Sequence, residues 1–235
     1  MKNTKLLNFI LSTLSGFVDT AVFVYMGGLF VAHVTGNFVL LGATLGRGLG
    51  AHADIGGEHA STAVLQLSSF PLFVLAVIAA AVIAGRAGGG RPGTRRLLAA
   101  ATALFLLVTI AAFAIGPRAD TASAMVLVVA MGLLNAAHRL EPGMGPPFTV
   151  MTGNVTGFAV ALAHALHLAP KPPAPKSQAG TAVPASLAAT LWTAAAPVAG
   201  FLAGCLLGAL AQAHLGLGAM VVPVVLMTVA LLVAV

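Results

Sequence analysis

Apolar residues run along this chain in six long blocks, 6–32, 64–85, 97–115, 121–137, 185–211 and 217–235, separated by short polar breaks. Crossing a hydrocarbon core of about 30 Å takes roughly 20 helical residues, so each block predicts a transmembrane helix. Two further apolar stretches, 35–49 and 152–168, are shorter, and both open on the same tripeptide: Thr35-Gly36-Asn37 and Thr152-Gly153-Asn154. Each tripeptide lies a similar distance downstream of a G-x-x-[D/N]-[T/A]-A element, first Gly16-Phe17-Val18-Asp19-Thr20-Ala21, then Gly132-Leu133-Leu134-Asn135-Ala136-Ala137. The pattern predicts an all-α, polytopic membrane bundle built from two internal repeats, 1–117 and 118–235, that form one membrane domain.

Composition narrows the class further. Hydrophobic residues make up 59% of the chain and charged residues 7%, against about 25% charged in ordinary soluble domains. A soluble fold of this length needs polar surface over most of its exterior, whereas a membrane protein needs it only at two interfaces. The net charge of +6 is concentrated between apolar blocks, as juxtamembrane anchors are, which argues against a nucleic-acid partner and for membrane lipid. Lys2 and Lys5 ahead of an apolar run suggest a signal peptide. The run continues past Asp19 to Ala32 without a small-residue cleavage site, so it reads as a retained first span. Cys205 is the single cysteine, which leaves no intrachain disulfide and no cysteine metal site.

The distribution of Lys and Arg decides between topologies, because cytoplasmic loops carry their excess. With a cytoplasmic N-terminus and both TGN stretches entering and leaving on one side, Lys2, Lys5, Arg86, Arg91, Arg95, Arg96, Arg139, Lys171 and Lys176 fall inside. Only Arg47 and Arg118 then fall outside. Eight crossings place either the arginines from Arg86 to Arg96, or the N-terminal lysines with Lys171 and Lys176, on the wrong side. Six full spans with two short re-entrant or broken helices fit better and make the repeats inverted; eight spans would make them parallel. Residues 50–58 and 87–93 read as glycine-rich connectors, and 170–175 as an exposed proline-rich loop.

The candidate chemistry gathers at the polar breaks. Thr and Asn oxygens cap free N–H groups, Gly admits a close neighbour, and a helix N-terminus carries partial positive charge that suits an anion or the negative end of a polar solute. The bland alternative is a helix cap that only packs. Asp19 is the sharpest single residue, an acid inside an apolar span, where a charge costs at least about 2.5–3.5 kcal/mol. It suggests proton coupling or cation binding, with a helix-to-helix hydrogen bond as the structural alternative. Its counterpart Asn135 does not titrate. His33, two residues before Thr35, is placed to donate to a ligand or relay a proton. The expected solute site is therefore Asp19, His33, Thr35, Gly36 and Asn37 with Asn135, Thr152, Gly153 and Asn154, the two TGN N-termini meeting near the midplane. His138, Arg139 and Glu141 read as interfacial anchors. No H-E-x-x-H or comparable spacing occurs, so no metal and no cofactor is expected. Gly200, Gly204 and Gly208 place small residues on one helix face for close helix contact, internal or between subunits of a homo-oligomer. Pro71, Pro197 and Pro223 are expected to kink their spans.

The stretch Gly16-Phe-Val-Asp-Thr-Ala, continuing through Gly27-Gly28-Leu29-Phe30-Val31-Ala32-His33-Val34-Thr35-Gly36-Asn37, resembles the first signature of the YoaK-like family of bacterial integral membrane proteins of unknown function. Met131-Gly132-Leu133-Leu134-Asn135-Ala136-Ala137 with Thr149-Val150-Met151-Thr152-Gly153-Asn154 is similar to its second. The resemblance implies a bacterial inner-membrane protein of about six helices and no particular substrate. Ala137-His138-Arg139 before Glu141-Pro142 departs from the family's second signature, and the proline-rich loop resembles an insertion. Two classes of function follow: a small transporter or channel for a polar or anionic solute, working by rocking of one half on the other, or a non-transporting protein that binds a partner or aids complex assembly. An intramembrane enzyme ranks last, since Asp19 and His33 have no accompanying catalytic motif.

Overall fold

A computed structural model describes residues 4–48, 57–144, 147–168 and 187–234. Lys2, Lys171, Lys176, Val235 and most of the two expected connectors at 50–58 and 170–175 lie outside them. The described residues form eight α-helices: α1 (Thr4–Tyr25), α2 (Val34–Gly48), α3 (Gly57–Arg86), α4 (Gly90–Ala114), α5 (Asp120–Leu140), α6 (Met151–Ala165), α7 (Leu187–Leu215) and α8 (Val221–Ala234). Short 3-10 turns at Gly116–Ala119, Pro142–Met144 and Gly216–Met220 link several of them.

Among the described residues, five stretches are long and apolar enough to cross a bilayer: Thr4–Tyr25, Thr62–Arg86, Gly90–Ala114, Gly116–Leu140 and the 44-residue Leu191–Ala234. The last contains two helices, because the chain folds back at Gly216–Met220. Leu106, Leu107, Ile110 and Phe113 on α4, and Leu202, Leu206 and Leu210 on α7, are exposed, an outer surface that suits acyl chains and not water. The chain is a multi-pass membrane protein by this measure. The inner helices are α1 and α5, with 78% and 67% of their apolar windows buried.

Contacts at the helix ends fix the directions. Tyr25, at the C-terminus of α1, donates its hydroxyl hydrogen to Asp120 Oδ2 at the start of α5 (2.7 Å). Gly216 packs on the Tyr25 ring and Gly218 on Phe113, so the ends of α1, α4 and α7 and the starts of α5 and α8 share one face. At the other face, Thr4 Oγ1 donates to Gly143 O (3.3 Å), Gly93 abuts Ala84 across the α3–α4 turn, and Ala234 shares a groove with Arg91, Arg95 and Arg96. Helix α1 therefore runs parallel to α4 and α7 and antiparallel to α3, α5 and α8.

Helix α2 follows from the same reasoning. It starts at the depth of Asp19, and Asn37 meets Ser69 while Leu40 and Thr44 border the same cavity as Gln66 and Thr62, so it runs antiparallel to α3, back to the Tyr25 face from which the chain came. It is re-entrant. Helix α6 follows the loop that leaves the Arg91 face after α5; Thr149, two residues ahead of it, lies beside His33 at the depth of Asp19, and the helix packs on α7. This is the arrangement of six spans and two short helices anticipated from the charge pattern.

Three expectations need correction. The block 6–32 is not one span: α1 stops at Tyr25, where Gly27 and Gly28 take positive φ (66° and 116°) and Gly28 N–H closes on Phe23 O (2.8 Å), a glycine-terminated C-cap. The arginines at 91, 95 and 96 are on the first two turns of α4 and not in a loop, since only residues 87–89 separate α3 from α4. His138 is no interfacial anchor but a buried ring, edge-on to Phe148.

The glycine stripe on α7 packs within the chain. A Cβ at Gly204 would lie 2.0 Å from Thr13 O, at Gly208 2.4 Å from Phe17 O, and at Gly16 of α1 2.2 Å from Phe201 O. Backbones approach this closely only where both helices present hydrogen atoms in place of side chains.

Candidate functional site

The segment 26–33 is an apolar loop folded back along α1, and its backbone N–H groups need acceptors that apolar side chains do not supply. Asp19, 2% exposed, supplies them. Its Oδ1 accepts from Val31 N–H (2.8 Å) and Ala32 N–H (2.6 Å), and its Oδ2 accepts from His33 N–H (3.1 Å) and closely from His33 Nδ1. The Nδ1 side of the ring is thus committed to the carboxylate. That ring sits edge-on to Phe30 and Phe201 and interacts with the backbone of Thr149.

The second half repeats the geometry with neutral groups. Thr149 Oγ1 donates to Asn135 Oδ1 (2.6 Å) across a separation of 14 residues, the same as between His33 and Asp19. Asn135 Nδ2 donates to Met131 O (2.9 Å). The structure thus joins Asp19, His33, Thr149 and Asn135 into a polar chain running from one half to the other. Thr149 was not among the expected site residues. The available signal was its position, 14 residues past Asn135, but the change from imidazole to hydroxyl hid the equivalence.

The TGN motifs act differently from helix caps. Asn37, 1% exposed, accepts from Phe30 N–H (2.9 Å) and donates to Phe30 O (2.8 Å) and Ser69 Oγ (2.8 Å). Asn154 donates to Pro147 O (2.8 Å) at the matching separation of seven residues. Proline has no N–H, so the second asparagine cannot receive the return bond. Each asparagine clamps the loop before its helix. Gly36 lies under the Phe30 ring, 2.8 Å from where a Cβ would be, whereas Gly153 meets only Val150 at 3.5 Å. Thr35, Thr152 and Gly153 are exposed, apart from the polar chain. No side chain caps α6, and the polar link between the halves runs through His33 and Thr149, just ahead of the two helices.

A family profile described as "Protein of unknown function (DUF1275)" matches residues 7–233. The chain belongs to this family. No curated protein and no solved structure matches it. Within this DUF1275 chain, the different bonding of the two asparagines sets an unequal cost for losing them. Asn37→Ala is expected to destabilise by about 2–4 kcal/mol and Asn154→Ala by about 1 kcal/mol, counting roughly 1 kcal/mol per hydrogen bond and more for the buried groups left unpaired. Thermal melting of the two variants in the same detergent checks the order, and equal losses would show that the clamp at Phe30 does not hold the loop.

Proposed function

We propose that the protein is a small membrane transporter or channel for a polar or anionic solute, built from two inverted repeats, with its site at the polar chain of Asp19, His33, Thr149 and Asn135. The single observation that carries the reading is the meeting of the two broken segments at His33 and Thr149, between re-entrant helices that start at depth from opposite faces. Discontinuous helices whose N-termini point inward from the two halves are the usual framework for solute sites in secondary transporters. Irregular backbone at membrane depth is tolerated where protein buries it or where it lines a cavity. Asp19 and His33 form the acid–base pair for proton coupling, Asn135 and Thr149 the neutral half that hydrogen-bonds solute, and the N-termini of α2 and α6 contribute positive potential for an anion.

The orientation follows from charge. Lys5, Arg86, Arg91, Arg95, Arg96 and Arg139 gather at one face and Arg118 with Asp120 at the other, a bias that supports a cytoplasmic N-terminus, and the resemblance to a bacterial family supports an inner membrane. A second reading, a protein that binds a partner without transporting, is favoured by one observation: the oxygens of Asp19 are already engaged by its own loop.

Proteoliposomes with a trapped pH dye, challenged in turn with gradients of small anions such as formate, nitrate and sulfate, separate the two. The transport reading expects proton movement linked to at least one anion, abolished in His33→Ala and Asp19→Asn while Thr35→Ala keeps it. Silence towards every probe from a protein that is folded and monodisperse would favour partner binding.

A further inference from the structure

Helix α1 is the inner span, yet one side of it is lined with oxygen. Asn8, Ser12 and Ser15 are 4%, 0% and 0% exposed, and Asn8 Oδ1, Ser12 Oγ and Ser15 Oγ have no hydrogen-bond partner. At 100° per residue, positions 8, 12, 15 and 19 fall within an arc of about 60°, so the three oxygens form a column ending at Asp19. The column is separate from the face that packs on α7, which uses Phe9, Thr13, Gly16 and Phe17. It is also separate from the apolar face of Leu7, Leu11, Leu14 and Val18.

Buried polar atoms are nearly always paired, and three orphans in register call for a partner. Packing alone does not ask for them, because the matching positions on α5 are Ala124, Val128 and Met131, all buried. Only the fourth position, Asn135 opposite Asp19, stays polar. The loop before α6 is held near both ends of the column, at Gly143 by Thr4 and at Thr149 by His33. Beyond Asp19, towards the Tyr25 face, Gln66 donates to Gly28 O (2.7 Å) while its own oxygen is buried and unpaired. Gln66 borders a cavity of about 320 Å³ together with Thr44, Thr62 and Gly28. Buried, unpaired side-chain oxygens thus lie on both sides of the Asp19–His33 pair, and no apolar span needs either.

We propose that the column Asn8–Ser12–Ser15 binds a file of water that connects the Arg91 face to Asp19 and His33, and that the Gln66 cavity is its counterpart from the Tyr25 face. Water fits because each oxygen both accepts and, in the serines, donates, and because a bridging water satisfies buried groups nearly as well as a direct bond. The file is one-sided in sequence: α1 carries it and α5 does not, so protons reach the pair through the first half alone. This purpose rests on the transport reading, whereas the water file itself is measured without any solute.

The test uses the full chain in nanodiscs with Cys205→Ser as background. Ser12→Cys and Ser15→Cys are compared with Leu14→Cys, equally buried on the apolar face, for reaction with silver ion, a hydrophilic probe of about water size. A dry thiol reacts only through local opening, so the column positions are expected to react about 100-fold faster than Leu14→Cys. Equal rates would overturn the proposal. Should a cysteine variant fail to fold, the unmodified chain decides. In water-edited solid-state NMR with labelled asparagine, the Asn8 side chain is expected to receive water magnetisation well before the fully bonded Asn37, and a build-up as slow as that of Asn37 would overturn it. Reactive thiols in a protein that moves no protons would keep the water file and remove the transport reading; proton flux with inert thiols and a dry Asn8 would do the reverse.

Discussion

Gly204→Val is expected to abolish the native bundle or lower its stability by about 3 kcal/mol or more, the upper range for overpacking, because the clash is with backbone and not with a side chain that can turn away. The added Cβ alone would sit 2.0 Å from Thr13 O and 2.8 Å from Phe17 N, so α1 and α7 would have to separate along their whole seam. Gly157→Val on α6, where a Cβ meets nothing within 4 Å, is the matched control and is expected to melt as the parent does. Size-exclusion profiles after a heat series report both. If Gly204→Val and Gly157→Val behave alike, the close approach of α1 and α7 is not what holds the bundle.

The second large effect is at Asp19. Asp19→Ala is expected to cost about 3–5 kcal/mol, the range for removing one partner from a buried, hydrogen-bonded charge pair, since it orphans the N–H groups of Val31, Ala32 and His33 together. Asp19→Asn keeps one oxygen for Val31 and Ala32 but turns an NH2 towards His33, so it is expected to lose about half as much and still fold. The ordering of parent, Asn and Ala variants in thermal melting checks this. A parent-like Ala variant would show that the loop is held by something other than the carboxylate. The folded Asn variant is then the one to use in flux measurements, because its loss of proton coupling is not a loss of fold.

Most of the architecture was legible because a bilayer imposes long apolar runs and a charge bias on any chain that crosses it, and both survive in the sequence as simple patterns. The end of α1 was not. Residues Leu29 to Ala32 are as apolar as any span, and what breaks the helix is the pair Gly27-Gly28 together with a carboxylate reaching over from Asp19, a long-range partnership that no local window contains. The same contact recasts Asp19. Its position inside an apolar run signalled a polar group at depth, while the three N–H groups it serves come from a loop that hydropathy reads as helix. The TGN repeat marked where the chain turns back, but its asparagines bind the loops before them, and its threonines face outward. The column of Asn8, Ser12 and Ser15 was present in the spacing of four and three residues all along. It drew no notice because each residue singly is unremarkable in a helix, and only burial on a shared arc gives the set a meaning.

The seam between α1 and α7 has a mechanical side. These helices come from opposite halves of the chain, and their backbones interlock at Gly16, Gly200, Gly204 and Gly208 with no lubricating layer of side chains between them. Two such rods slide past each other only by being prised apart, so they travel as a single strut. Tilting one whole half on the other is thereby blocked at this line. Any alternation in which side is open has to come from pieces hung on the strut, and α6, with no buried residue among its fifteen, is the most loosely hung.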